Sequence, residues 1–565
     1  MSTSLTKVLP VGVALLLAGA LFLTANASLS ADPVKISLPT LRLNYLAGLP
    51  SLAQTLDPPL DYAAPAADTI ALTNANLVHI LPNGKVASDL ATWTVSKNHL
   101  VYTFAIHKNG RFSNGHYVTA QDAAFSIRRA LAPSTASSIA PFYLGLIHGA
   151  DTFHSGRTKV LTGVKVLSRR TLRITISKPA AYFLAALTYP TADVLDPAVV
   201  SGQSVGTPPD FKDNYLTSTC TANQGAGPFK FVCLNATSGT SSFYRAGHTP
   251  MYTFVPNPYY YGRKPHVRIE LPGYATAQDA YKQYLAGKLD TTSIPAVYLS
   301  RWKGRSQQYR SYPSSSITYL TPNVRIPPFD NVHCRLAVAY AVDRDTLANR
   351  ILTGYARPTY GVVPRGMLGY YPGNDNPHYD PVRARAELAK CPSRTTPFEL
   401  LYGRLGPEYD NAFTNIATTL STVGMNVKLK GVSADDWLKL VGQPLDRANI
   451  QIIHDSWEQD YPDPQDYCTL LLHSSGGWPN IGRWHNSTYD RLVERADVES
   501  NRSRRAQIYI QAQHLALSQG AFISVSNGIA SVLIKPYVHG LIGSEAYARP
   551  VPKNYDWANV SISKH

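Results

Sequence analysis

Between residues 397 and 460 the chain alternates strand and helix signals in a way that leaves few folds open. Phe398 to Tyr402 is a β-favouring run of the kind buried on both faces of a sheet. A helix follows with Phe413, Ile416, Leu420 and Val423 on one face, and Gly424 ends it. Met425 to Val432 alternates as a strand, Ser433-x-x-Asp436 caps a short helix, and Asn449 to His454 is apolar enough for a third strand. Strand-helix-strand-helix-strand units make a parallel sheet, and ligands of open parallel sheets bind in the crevice beyond the carboxyl ends of the strands. Two segments fall there: Gly403-Arg404-Leu405-Gly406 and Ser456-Trp457-Glu458-Gln459-Asp460.

Other elements are marked by their ends. Thr119-x-x-Asp122 is a capping box opening a helix whose Ala124, Ile127, Ala130 and Leu131 share a face, and Pro133 stops it. Asp380-Pro381 reads as a cap and first-turn proline for a helix running to about Lys390. Asn331 to Leu352 reads as two helices, the second capped by Asp343 and closed by Gly354. A chain of 565 residues exceeds one compact core, so two or three lobes are expected.

The first residues carry Lys7, an apolar run from Val8 to Leu23 and Ala25-Asn26-Ala27, the pattern of an export signal over 1–27 with the mature chain starting near Ser28. An uncleaved N-terminal anchor is the alternative, although the run is shorter than a usual membrane span. The first cysteine is Cys220, so the lipid-modified cysteine that commonly follows such a signal is absent. Export implies an oxidising compartment, in which the five cysteines suggest two disulfides and a leftover thiol. Cys220 and Cys233 bracket a short segment. Cys334 and Cys391 would meet if their helices pack together, which leaves Cys468 free.

The net charge of +16 favours anionic surfaces, but an exported chain without dense basic blocks gives no reason to expect nucleic acid. Arg502, Arg504 and Arg505 read as a solvated helix face. Gly202-Gln203-Ser204-Val205-Gly206 fits the spacing of a hydrolase nucleophile, yet Thr207-Pro208-Pro209 follows where that turn needs a helix. His107, His116 and His454 are isolated, and no phosphate loop or metal-ligand cluster occurs, so neither catalysis nor a cofactor is expected.

Several motifs recur in an order that resembles family 5 of bacterial solute-binding proteins, which includes dipeptide-, oligopeptide- and nickel-binding components of ABC importers. They are Leu56-Asp57-Pro58 after a strand-like Leu41 to Tyr45, Leu81-Pro82-Asn83-Gly84-Lys85-Val86, and Phe112-Ser113-Asn114-Gly115 with Thr119-Ala120-Gln121-Asp122-Ala123. Gly225-Ala226-Gly227-Pro228-Phe229, Asn257-Pro258-Tyr259-Tyr260-Tyr261, Pro327-Pro328-Phe329-Asp330 and Tyr379-Asp380-Pro381 follow. The resemblance spans about residues 40 to 545. It implies an α/β, two-lobed periplasmic-binding-protein-like fold of the large class II type, with an extra α/β domain inserted in the first lobe. Residues 28–75, 215–310 and 535–565 would form lobe I, 76–214 the extra domain and 311–534 lobe II. It further implies a monomer outside the cytoplasm that encloses a ligand by hinge closure and serves a permease and ATPase supplied by other chains.

A peptide must be recognised by its terminal ammonium, its carboxylate and its backbone. In peptide-binding members an aspartate three residues after a tryptophan pairs with the ammonium, and Trp457-Glu458-Gln459-Asp460-Tyr461 reproduces that spacing. The resemblance therefore makes Asp460, with Trp457 and Tyr461 beside it, the candidate site; the alternative is that Asp460 shapes the following turn, while Asp463 between prolines reads as structural. Arg404 falls near where dipeptide-binding members hold the carboxylate, and its planar fork suits one, although an exposed loop arginine is the commoner case. Asn323 is a hinge or a ligand contact. An oligosaccharide on tyrosine platforms is the second ligand class and a nickel chelate the third; an exported serine hydrolase and a surface adhesin are the readings outside this family.

Overall fold

The computed structural model describes residues 38–44, 56–60, 64–81, 83–200, 225–232, 251–274, 276–304, 306–373, 375–475, 479–541 and 556–564. The N-terminal signal or anchor, Ser204 with its flanking glycines, Cys220 and Cys233 lie outside the described residues.

One sheet is assembled from distant stretches of chain. Thr40–Arg42 runs parallel to Arg268–Pro272, which pairs antiparallel with Met251–Pro256, and that strand pairs with Phe229–Val232. Leu41, Phe254 and Ile269 pack there with Trp557 and Val560 from near the C-terminus. Two of the recurring motifs hold each other: the Asn257 side chain donates to the Gly227 carbonyl at 2.9 Å, and its backbone N–H donates to Pro228 at 2.9 Å.

A second, antiparallel sheet joins Ala91–Val95, Val101–Ile106, Thr171–Thr175 and Val164–Ser168. The helix Ala120–Leu131 packs on it with Ala124, Ile127, Ala130 and Leu131 buried, and the capping box forms in both directions. That helix also buries Arg129, whose guanidinium donates to both oxygens of Asp57 at 2.7 and 2.6 Å. The acid of the Leu56-Asp57-Pro58 motif is thus a structural counter-ion. A buried cation left without one would cost several kcal/mol.

The largest sheet contains β1 (Thr291–Ser293), β2 (Tyr309–Pro322), β3 (Ala356–Pro358), β4 (Phe398–Gly403), β5 (Val427–Val432), β6 (Ile452–Trp457) and β7 (Ile523–Ile534). Its order is β1-β7-β2-β6-β4-β5, with β3 added to β7. The β6, β4 and β5 strands are mutually parallel, as the alternation of strands and helices requires. The interior β4 is buried at nearly every position, whereas the edge strand β5 keeps Lys428 and Lys430 on its open face. The long β2 and β7 pair antiparallel with a register shift between Pro313 and Ile317, where proline withholds its N–H and the intervening serines bulge.

Helices α1 (Val332–Ala341), α2 (Pro381–Lys390), α3 (Pro407–Thr422), α4 (Ala434–Val441) and α5 (Arg502–Ser518) surround this sheet. Asp380 and Ser433 cap α2 and α4 through their side chains. The second helix expected after Asn331 does start at an Asp343 cap, but it continues from Leu347 to Ile351 as a π-turn. α1 and α2 pack together, and Cys334 is bonded to Cys391 with their Cα atoms 5.0 Å apart. Cys468 is free and buried. Replacing both bridge cysteines with alanine is expected to lower unfolding stability by about 2 to 4 kcal/mol, because the bond closes a long loop in the unfolded chain. A guanidinium titration of the two proteins would measure it; superimposable curves would show that the bridge adds nothing.

The arginine run on α5 corrects the sequence reading. Arg505 is buried rather than solvated: it donates to Asp463 at 2.6 and 2.7 Å and to the Ala496 carbonyl at 2.9 Å. Charge alone could not separate it from its neighbours, since its partner lies 42 residues away.

Candidate functional site

Beyond the carboxyl end of β6 the chain turns sharply through Glu458 to Pro464. Trp457, the last residue of the strand, packs its ring with Ile317, Tyr319 and Tyr467. Its indole N–H donates to Asp466 at 3.4 Å, and the same Asp466 oxygen accepts the backbone N–H of Asp460 at 2.9 Å. The turn is therefore tied to the helix Gln465–Leu472.

Asp460 is half-buried and accepts a hydrogen bond from the Tyr143 hydroxyl at 2.6 Å. Tyr143 belongs to the short helix Ala140–Leu144 beside the second sheet, so the contact bridges parts of the chain 317 residues apart. The Tyr143 ring stacks on Tyr189 at 4.0 Å and meets the edge of Tyr461 at 6.2 Å, which holds the hydroxyl in place. Burial pushes the Asp460 carboxyl up to about 7; the Tyr143 bond works against that shift and the nearby Glu458 adds to it. Asp466 is raised as well, by burial first and by Asp460 second. Both carboxyls of this turn are thus held above the usual carboxylate range, burial being the first cause for each. Such a pair favours the arrival of a cation.

The other expected residues are placed differently. Tyr461 is buried, its ring stacked 6.3 Å from Tyr182 inside the core under the second sheet and its hydroxyl donated to Gln465. Asn323 is also buried: its amide donates to the Ile450 carbonyl at 2.9 Å and its oxygen accepts the Arg325 N–H at 3.0 Å, joining the end of β2 to the start of β6. Arg404 is exposed and lies across Gly431 and Tyr402, on the β5 side of β4. The flanking Gly403 serves packing, since a Cβ there would stand 2.8 Å from the Trp437 ring. Trp437 in turn stacks on His454, a buried ring whose pKa burial lowers to about 3 and which is therefore neutral.

The sequence reading did not single out Tyr143, Asp466 or Glu408, and it placed Glu458 beyond the third strand without giving it a role. Glu408 follows β4 in the first turn of α3, and Glu458 follows β6. Both line one cavity of about 300 Å³ between α3 and the serine bulge of β2. The rule that points to the ends of parallel strands marks Glu458, whereas Glu408 lies two residues beyond the segment named after β4, and only the aspartate had a family spacing to single it out. Among the described residues no cluster of His, Cys, Asp and Glu could hold a metal ion.

Comparison with known proteins agrees with this architecture. The family described as bacterial extracellular solute-binding proteins, family 5 (middle) matches residues 85–479. The probable D,D-dipeptide-binding periplasmic protein DdpA of Escherichia coli is 26% identical over 444 residues, 78% of either chain. The periplasmic oligopeptide-binding protein OppA of the same organism is 23% identical over 571 residues, 97% of either chain. Among solved structures, the E. coli murein tripeptide binding protein MppA superposes with a TM-score of 0.75 at 22% identity, covering 93% of this chain and 98% of that one. Listeria monocytogenes OppA bound to peptide gives 0.73 at 22% identity, covering 94% and 100%. The fold is thus the α/β fold of these binding proteins, and the chain belongs to family 5 of the bacterial extracellular solute-binding proteins.

Proposed function

We propose that this protein captures short peptides in the cleft between its lobes and delivers them to the permease of an ABC importer, whose ATPase supplies the energy. In this reading 28–75, 215–310 and 535–565 form lobe I, 76–214 the added domain and 311–534 lobe II. Asp460 carries the reading. A half-buried carboxylate stands beyond a parallel strand, aimed by Tyr143 and by its own backbone bond to Asp466, and awaits a positive group. A peptide's terminal ammonium supplies that charge and three donors, and a charge-assisted contact of this kind is roughly twice as strong as a neutral hydrogen bond. The names of the similar proteins, which bind dipeptides, oligopeptides or a murein tripeptide, support the same ligand class.

Native mass spectrometry of the mature protein mixed with a tryptic digest tests this directly. Complexes with intact short peptides are the expected result; exclusive binding of sugars from a matched oligosaccharide mixture would overturn it.

The raised carboxyl makes a second expectation. An ammonium needs the ionised form of Asp460, whose pKa in the free protein stands at about 7. Affinity should therefore fall as pH drops below 7, by up to about tenfold per unit, and binding at pH 6 should release a proton to the buffer. Calorimetry in two buffers of different ionisation enthalpy reads that proton. Affinity independent of pH between 5 and 7 would remove Asp460 from the contact.

A further inference from the structure

The sheet of Ala91–Val95, Val101–Ile106, Thr171–Thr175 and Val164–Ser168 has two unlike faces. Tyr102, Phe104, Leu172 and Ile174 are buried on the face that carries the helix Ala120–Leu131. Strand alternation puts Lys165 and Arg173 on the other face. They continue one row across all four strands, Thr94 beside Thr103, Thr103 beside Arg173, and Arg173 beside Lys165. Like charges directly opposite each other destabilise a sheet. Neither Arg173 nor Lys165 has an acidic partner among the described residues.

A basic turn extends this row. In the hairpin closing at Ser168 to Thr171, the Ser168 hydroxyl donates to Thr171 Oγ1 at 2.9 Å and accepts the Arg170 N–H at 3.3 Å. The carbonyls of Arg169 and Arg170 accept from the N–H groups of Ala120 and Ile106 at 2.9 and 2.8 Å. The turn is thus fixed to the domain while both guanidinium side chains stay exposed. Leu167, left unpaired by a bulge, is 46% exposed between Lys165 and the two arginines.

Charge is concentrated in this part of the chain. Residues 83–200 hold thirteen lysines and arginines against five aspartates and no glutamate, an excess of eight and so half of the net charge of +16. The aspartates are engaged off the open face. Asp122 caps its helix, Asp89 accepts from the Tyr261 hydroxyl, Asp196 holds Asn114 and His116, Asp193 is buried and Asp151 pairs with Arg157.

We propose that this face is an electrostatic docking surface for a bilayer containing anionic phospholipid. The arginine forks and the threonine hydroxyls are donors for lipid phosphate. A bilayer suits the face better than a soluble polyanion does, since four paired strands present a broad surface on the order of 15 to 20 Å across rather than a groove. Leu167 adds an aliphatic group that enters the headgroup layer while the basic residues beside it stay with the phosphates. The assignment does not depend on what the cleft takes, and it would hold the protein at the membrane in which an importer's permease lies.

The test is co-sedimentation of the mature chain, from Ser28, with vesicles of phosphatidylcholine alone and of an equimolar mixture with phosphatidylglycerol; starting there keeps the apolar run from Val8 to Leu23 out of the bilayer. Binding to the mixed vesicles, absent with phosphatidylcholine alone and lost in high salt, is the expected result. Arg169→Glu with Arg170→Glu should weaken it about tenfold or more. Arg385→Glu with Arg394→Glu makes the same charge change on exposed residues in and after α2, and should weaken it less than about threefold. Thermal melts would verify that both double variants fold. Equal losses in the two would assign the binding to net charge and overturn the proposal. Binding of inorganic polyphosphate without the mixed vesicles would make the face a site for a soluble polyanion and overturn it too, as would no binding of either.

Discussion

Asp460→Asn is expected to weaken binding of a peptide with a free amino terminus by two to three decades. The substitution keeps the shape of the side chain, and its oxygen can still accept from Tyr143, but it removes the charge proposed to meet the ammonium. Leaving a buried charge without its partner costs about 3 to 5 kcal/mol, and each 1.4 kcal/mol is about tenfold in affinity. Without ligand the same variant should become more stable relative to the wild type as pH rises. Asp460 has a raised pKa when folded, so the stability linked to its protonation is fully present below about pH 4 and is lost as pH climbs through about 7. Asparagine escapes that loss. Calorimetry and melting curves of wild type and variant read the two effects separately, and an unchanged affinity would make Asp460 a turn residue.

Asp463→Ala should produce the largest loss of stability, about 3 to 5 kcal/mol, without touching ligand. It removes the acid bonded to Arg505, which is buried beside Tyr509 and bonded to the Ala496 carbonyl as well as to both Asp463 oxygens, and leaves only the charge of Asp497 nearby. A double change to alanine and methionine removes both charges and should recover much of the loss, since well-packed apolar groups often replace a buried pair at little cost. Urea titration would show it. A single variant as stable as the wild type would mean that water reaches the arginine.

The two effects mark what local pattern can and cannot reveal. Strand β4, helix α3 and strands β5 and β6 follow from periodicity and capping, because those signals are local and their physics is backbone geometry and one-sided burial. The segment after β6 follows in turn from the direction of the parallel strands, and Asp460 as the ammonium's partner is a proposal that the family resemblance adds. Tyr143 could not be found the same way, since it reaches Asp460 from a helix hundreds of residues earlier. Arg505 was misplaced for the same reason: a basic residue among basic residues looks solvated until the acid from another turn is brought to it. Tyr461 shows a third limit. Its spacing near Asp460 suggests ligand contact, yet an aromatic ring also fills a core, and here it fills the one beneath the second sheet. Asn323 and Gly403 are similar, residues with binding chemistry or backbone freedom that the fold spends on joining strands and seating Trp437.

The most direct test of the central claim is calorimetry of the wild-type protein with one peptide in two forms, its amino terminus free and acetylated. Acetylation removes the positive charge and leaves every side chain in place, so the free form should bind at least about a hundredfold tighter. Equal affinity for the two forms would contradict recognition of the ammonium by Asp460.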